Sequence, residues 1–181
     1  MVRTVNRKIC LLGDMAVGKT SLQQRFVHNR FDERYLATIG VTVSRKTVAV
    51  PVPDGPVELT LIVWDLAGSD EWGRMRASYL RGAAGAVLVC DVLRPESLDN
   101  LLGYAEELRR VNPAARVVVA GNKHDLASPG HDSGAIEELA GGIGAPWLLT
   151  SAKTGLGVEA VFRRLGDLLA ETVRERETWT P

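Results

Sequence analysis

The sequence predicts a doubly wound α/β domain: a mostly parallel six-stranded sheet with one antiparallel edge strand. Short apolar, β-branched runs alternate with helix-period patterns along the chain. Two of the runs, 85–91 and 116–121, are apolar without alternation (Ala86-Val87-Leu88-Val89-Cys90 and Val117-Val118-Val119-Ala120). Central parallel strands covered on both faces require that pattern. A glycine-bearing turn, Gly13-Asp14-Met15-Ala16-Val17-Gly18-Lys19-Thr20, links the first apolar run to the first helical pattern.

The elements follow in order. Ile9-Cys10-Leu11-Leu12 predicts a strand over 8–13, and the spacing of Leu22, Phe26 and Val27 a helix over 18–29. Strands over 41–51 and 57–64 are joined through Pro53-Asp54-Gly55-Pro56, whose Asp-Gly pair favours a hairpin turn. Pro51 and Pro53 cannot donate to a ladder, so this hairpin is expected at the sheet edge. Helices over 73–81, 95–109, 133–141 and 157–174 alternate with strands over 85–91, 116–121 and 146–150. A single domain over 1–175 is expected, with 176–181 a short C-terminal tail.

Composition narrows the function. The 181 residues are 45% apolar and 24% charged, ordinary for one globular domain with a sizeable core. A formal net charge of zero gives a general nucleic-acid role no electrostatic support. There is no apolar run of membrane-spanning length and no apolar signal core in MVRTVNRK. Cys10 and Cys90 sit inside apolar runs and read as buried free thiols, so a cytoplasmic protein is expected.

In this fold class ligands bind beyond the carboxyl ends of the strands. Strand 8–13 delivers the glycine-bearing turn there, and strand 57–64 delivers Asp65. Strand 116–121 delivers Asn122 and strand 146–150 delivers Ser151. The turn fits G-x-x-x-x-G-K-[ST]. Gly13 and Gly18 let the backbone curl into a nest of N–H groups for anionic oxygens, and the following helix adds its positive end. Lys19 reaches the β- and γ-phosphates, and the Thr20 hydroxyl can ligate Mg²⁺. This much reads as a nucleoside triphosphate site.

Asn122-Lys123-His124-Asp125 suggests the base. A carboxylate at Asp125 can accept hydrogen bonds from N1–H and the 2-amino group of guanine, whereas adenine would leave it unpaired. Asn122 can brace the loop and Lys123 can lie along the base. Ser151, Ala152 and Lys153 would complete the pocket through backbone N–H groups, with Lys153 flanking the base. Asp65 can hold Mg²⁺ through water, and the Gly68 N–H can reach a γ-phosphate oxygen. The Thr38 hydroxyl could join the metal when a third phosphate draws its loop in.

The stretches GDMAVGKTS, TIGV, WDLAG, NKHD and TSAK stand in order and at spacings that resemble the Ras superfamily of small GTPases, over residues 6–172. Ser78-Tyr79-Leu80-Arg81-Gly82-Ala83 resembles the Rab-like branch most. The resemblance implies a P-loop NTPase fold, a small G domain, that binds GTP or GDP with Mg²⁺. It implies nucleotide contacts from Gly13, Asp14, Met15, Ala16, Val17, Gly18, Lys19, Thr20 and Ser21. Phe31 would lie across the guanine edge and Tyr35 would close over the phosphates. Thr20, Thr38 and Asp65 would serve the metal; Lys19, Thr38, Gly68 and Ser69 stand at the catalytic positions. Residues 30–42 and 66–78 would be switch I and switch II, ordered by the γ-phosphate and relaxed after hydrolysis. Effectors, an exchange factor and an activating protein are the implied partners. The three aromatics that Rab-like proteins present to effectors correspond to Val43, Trp64 and Tyr79, so one is missing.

Three departures from the family pattern bear on activity. Ser69 stands where a glutamine should orient the attacking water, and serine is too short for that task. Met15 stands at a usually small position, where it should crowd the γ-phosphate and any arginine finger, a device that accelerates Ras-type hydrolysis about 10³–10⁵-fold. The chain ends Thr178-Trp179-Thr180-Pro181, so no lipid anchor is expected on it. A GTP/GDP switch with weak intrinsic hydrolysis follows. A GTP-locked interaction module without relevant hydrolysis is the alternative, while Asp125 argues against an ATPase or kinase. Asp70, Glu71, Arg74 and Arg76 read as a solvated helix start, with an intrinsic arginine finger as the other option. Trp72 reads as a packing residue or an effector contact, and His28 and His131 as surface residues.

Overall fold

A computed structural model describes residues 3–33, 38–51, 55, 57–67 and 73–177, without the side chains of 3, 73–75 and 173–177. Its strands are β1 (Arg3–Leu12), β2 (Val41–Val50), β3 (Val57–Leu66), β4 (Ala83–Asp91), β5 (Arg116–Asn122) and β6 (Trp147–Leu149). The helices are α1 (Lys19–His28), α2 (Gly73–Leu80), α3 (Glu96–Asp99), α4 (Leu101–Val111), α5 (Gly134–Ile143) and α6 (Val158–Glu177). The six-stranded sheet has the order β2-β3-β1-β4-β5-β6. All neighbours are parallel except the edge pair β2 and β3. The chain leaves β1 toward the β3 side and returns to β4 on its other side, so the end of β1 is the topological switch point.

The alternation of side chains explains the unbroken apolar runs. Ile9, Leu11, Val87, Val89 and Val118 point to one face and pack with α1 and α6. Cys10, Leu12, Leu88, Cys90 and Val119 point to the other and pack with α4 and α5. Both thiols are buried and free, as expected. On the first face Phe26 stacks on Phe162 with ring centroids 3.9 Å apart. Lys46 of β2 closes over that pair, donating to the Phe26 carbonyl at 2.7 Å and pairing with Glu159 at 2.9 Å.

Several boundaries differ from expectation. β1 begins at Arg3 because residues 3–7, polar in sequence but for Val5, pair in register with Val57–Leu61 of the edge hairpin. The helical run expected over 95–109 is divided at Asn100 and continues to Val111. α4 buries Leu101, Tyr104, Ala105 and Leu108, the i, i+3, i+4, i+7 stripe of an amphipathic helix. α1 ends on Asn29 in the left-handed region (φ 51), and α5 on Gly144 (φ 71), both αL caps. α6 continues to Glu177. Among the described residues, no helix is long and apolar enough to cross a membrane.

Candidate functional site

The loop after β1 depends on backbone that only glycine adopts easily. Gly13 has φ 146 and Gly18 has φ 99. A Cβ at Gly13 would strike the carbonyl oxygen of Val89 in β4, and one at Gly18 the side-chain amide of Asn122. Lys19, 6% exposed, opens α1 and donates from Nζ to the carbonyls of Gly13 at 2.8 Å and Asp14 at 2.7 Å. Burial lowers its pKa to about 8, against the pull of the Asp65 and Asp14 carboxylates.

Beside it, Thr20 of α1 donates to Asp65 Oδ2 at 2.5 Å, and the Thr38 hydroxyl donates to Thr20 Oγ1 at 2.6 Å. Asp65, the penultimate residue of β3, is fully buried, and its Oδ1 has no hydrogen-bond partner among the described residues. Burial raises its pKa, opposed by the Thr20 hydroxyl, Lys19 and Thr38. Two hydroxyls converging on a carboxylate with a spare buried oxygen fit Mg²⁺, which binds through one or two carboxylates plus waters and substrate phosphates. No cluster of three His, Cys, Asp or Glu side chains that could hold a metal occurs among the described residues.

The other half of the site lies at the ends of β5 and β6. Asn122, 1% exposed, donates to the Val17 carbonyl at 2.9 Å and so ties the phosphate loop to β5. Its Oδ1 accepts from Thr150 Oγ1 at 3.2 Å and from the Ala152 N–H at 3.3 Å. Ser151 donates to Asp125 Oδ1 at 2.5 Å, orienting the exposed carboxylate. Lys123, held in the left-handed region (φ 65), pairs with buried Asp91 at 2.7 Å. Arg25 of α1 grips the loop from beneath, donating to the carbonyls of Ala152 at 2.8 Å and Lys153 at 2.6 Å.

The structure therefore brings Gly13, Lys19, Thr20, Thr38, Asp65, Asn122, Asp125 and Ser151 to one edge of the sheet. Two backbone N–H groups expected to face a base are engaged within the protein, that of Ser151 with Leu156 and that of Ala152 with Asn122. Phe31 is half-buried against the α1–α6 core, and Lys153 pairs with Glu33 at 3.6 Å. Met15 is 57% exposed at the loop's mouth, with its carbonyl held by Arg94 at 3.0 Å. Tyr35, Gly68, Ser69, Asp70, Glu71 and Trp72 lie outside the described residues, as does the Arg74 side chain. Arg76 is not solvated as expected. It pairs with Glu107 at 2.7 Å and lies 4.7 Å over the Tyr104 ring. Val43, opposite Trp64 in the ladder, is exposed, and Trp64 and Tyr79 stand with ring centroids 6.3 Å apart. His28 is exposed and His131 half-exposed.

Asp91 and Arg25 were not singled out in the sequence. Asp91 ends a strand on the same edge as Asp65 and Asn122, so the strand-end rule would have reached it. Arg25 carries no comparable signal.

The Ras family profile matches residues 8–171. The chain belongs to the Ras family. Relatives within it include "Ras-related protein Rab-31" of Rattus norvegicus and of Homo sapiens, each 37% identical over 161 residues. These alignments cover 86% of this chain and 79% of each relative. "GTP-binding protein YPTM1" of Zea mays is 36% identical over 157 residues, covering 86% of this chain and 74% of its own. The protein is thus a Rab-like small GTPase of the Ras superfamily, a GTP-binding switch protein built on the small G domain. GTP, GDP and Mg²⁺ are the family's ligands, and GTP hydrolysis its activity.

Proposed function

We propose that this Rab-like protein is a GTP/GDP switch whose intrinsic hydrolysis is weak, with residues 1–175 as a single G domain. Asp125, oriented by Ser151 at 2.5 Å, selects guanine, and Lys123 and Lys153 flank the base. Lys19, held beside the Gly13 and Asp14 carbonyls, is placed to meet the β- and γ-phosphates, where a desolvated ammonium is worth most. Thr20, Thr38 and Asp65 would hold Mg²⁺, which would neutralise phosphate charge when bound. Gly68 and Tyr35 join the phosphates as switch I and switch II order around them, and effectors read that order.

The observation that carries weak hydrolysis is Ser69 in the water-orienting position. Met15 adds to it, since an exposed side chain at the loop's mouth obstructs a partner's arginine finger. Arg76, engaged by Glu107 and Tyr104, supports a packing role for this arginine over an intrinsic finger.

Single-turnover hydrolysis of bound GTP tests the reading. The wild type is expected to be slower than ordinary members of the family, and Ser69→Gln combined with Met15→Gly to be at least roughly tenfold faster than the wild type. A wild-type rate at the family's ordinary level rejects weak hydrolysis. GTP that stays bound through purification, with no gain in the double variant, favours a GTP-locked interaction module.

A further inference from the structure

The phosphate loop carries an acid. Asp14 directly follows Gly13, and its carboxylate is close enough to raise the pKa of the Lys19 ammonium. An unrestrained anion there would compete for Lys19 and repel the incoming phosphates. The structure restrains it from outside the loop. Asn100, at the break between α3 and α4, donates from Nδ2 to Asp14 Oδ2 at 2.9 Å. Tyr104, one turn further along α4, donates its hydroxyl to Asp14 Oδ1 at 3.1 Å. Both carboxylate oxygens are thereby held toward α4.

Tyr104 is suited to this task. Its ring is buried in the core beneath α4, so the hydroxyl has little freedom. Burial, together with the Asp14 charge and their hydrogen bond, pushes its pKa up to about 12, so it remains a proton donor at any working pH. Arg76 of α2 covers the ring and is itself fixed by Glu107 of α4. Tyr104 consequently links the phosphate loop, through its hydroxyl, to Arg76 of α2, which lies over its ring.

We infer that Asn100 and Tyr104 are positioning residues that hold the Asp14 carboxylate off the phosphate site, and so set the preference for triphosphate over diphosphate. The inference rests on the guanine-nucleotide reading above. Triphosphate suffers more from a released carboxylate because it brings more negative charge to the loop than diphosphate does.

The test compares affinities for GDP and a non-hydrolysable GTP analogue, with Mg²⁺, in the full chain. Tyr104→Phe keeps the ring under Arg76 and removes only the hydroxyl; Asn100→Ala with Tyr104→Phe removes both donors. The double variant is expected to lose roughly tenfold in the ratio of analogue to GDP affinity, and the single variant a smaller part of it. Adding Asp14→Ala should abolish that loss, which a merely structural defect would not allow. The inference is overturned if both nucleotides weaken equally, if the ratio is unchanged, or if the loss persists without Asp14. If the double variant does not fold, the single variant and its Asp14→Ala combination decide. A wild type that binds neither nucleotide rejects the guanine-nucleotide reading itself, whereas one that binds both with an unmoved ratio rejects this inference alone.

Discussion

The two halves of the proposed site are built differently. At the base end, each polar side chain is held by another part of the protein. Asn122 bonds to Val17, Thr150 and Ala152, Ser151 bonds to Asp125, and Lys123 pairs with Asp91. At the phosphate end, Asp14 is likewise held from α4, but the remaining side chains bond mainly to their own loop and to one another. Lys19 bonds to its own loop, and Thr20, Thr38 and Asp65 meet one another, with Asp65 Oδ1 lacking a partner among the described residues. In the proposed site, the base half is braced by the surrounding fold and the phosphate half mainly by its own members. That division suits a switch, in which the base secures the molecule and the phosphate count sets its state.

The sharpest way to break the comparison is Asn122→Ala. Removing a fully buried amide leaves the Ala152 N–H and the Val17 carbonyl short of partners, which should destabilise even the nucleotide-free protein by about 2–4 kcal/mol. Thermal unfolding, extrapolated to zero nucleotide, should place the midpoint roughly 5–10 °C lower. An unchanged midpoint means the base half is not preorganised.

A middle-sized effect separates the halves by pH. Lys19 has a folded pKa of about 8, below its ordinary 10.5. Below pH 8 both folded and unfolded chains hold the proton, and the burial penalty is present in full. As pH rises through 8 the folded protein sheds it first, so the nucleotide-free protein gains stability up to about pH 10.5. Bound phosphate restores the ammonium. Binding should therefore take up about half a proton at pH 8, below the range in which the guanine N1–H itself ionises, and almost none at pH 7, with affinity falling as pH rises above 8. Calorimetry in two buffers of different ionisation heat reads this directly, and equal uptake at both pH values contradicts it.

The smallest effect is expected at the rim. Glu33 and Lys153 are 80% and 52% exposed, and their 3.6 Å pair joins the start of the proposed switch I to the base loop. Glu33→Gln should change the rate of GDP release by less than roughly threefold. A larger change would mean that the base half yields to switch I after all.

The fold was legible because its signals are local and strong. The apolar runs at 85–91 and 116–121 became β4 and β5, and the proline-flanked hairpin became the edge. β1 was read short because Arg3, Thr4, Asn6 and Arg7 are polar, and their pairing with β3 is not local. In the site, Lys19, Thr20, Asp65, Asn122 and Asp125 were legible because their spacing is fixed by the ligand they imply. Asp91, Arg25, Asn100 and Tyr104 bond to that set from strand ends and helix faces. Apart from Asp91, which the strand-end rule reaches, their sequence context reads as ordinary core or surface, and only the tertiary packing turns them toward the site.

Lys46 fastens β2 to the Phe26 carbonyl and to Glu159 at once. A slide of β2 along β3 would have to break both anchors together, along with the register to Leu61. The far half of the hairpin is therefore a fixed heel. If switch I moves with the nucleotide, Lys46 is the point at which that movement would meet an anchored strand.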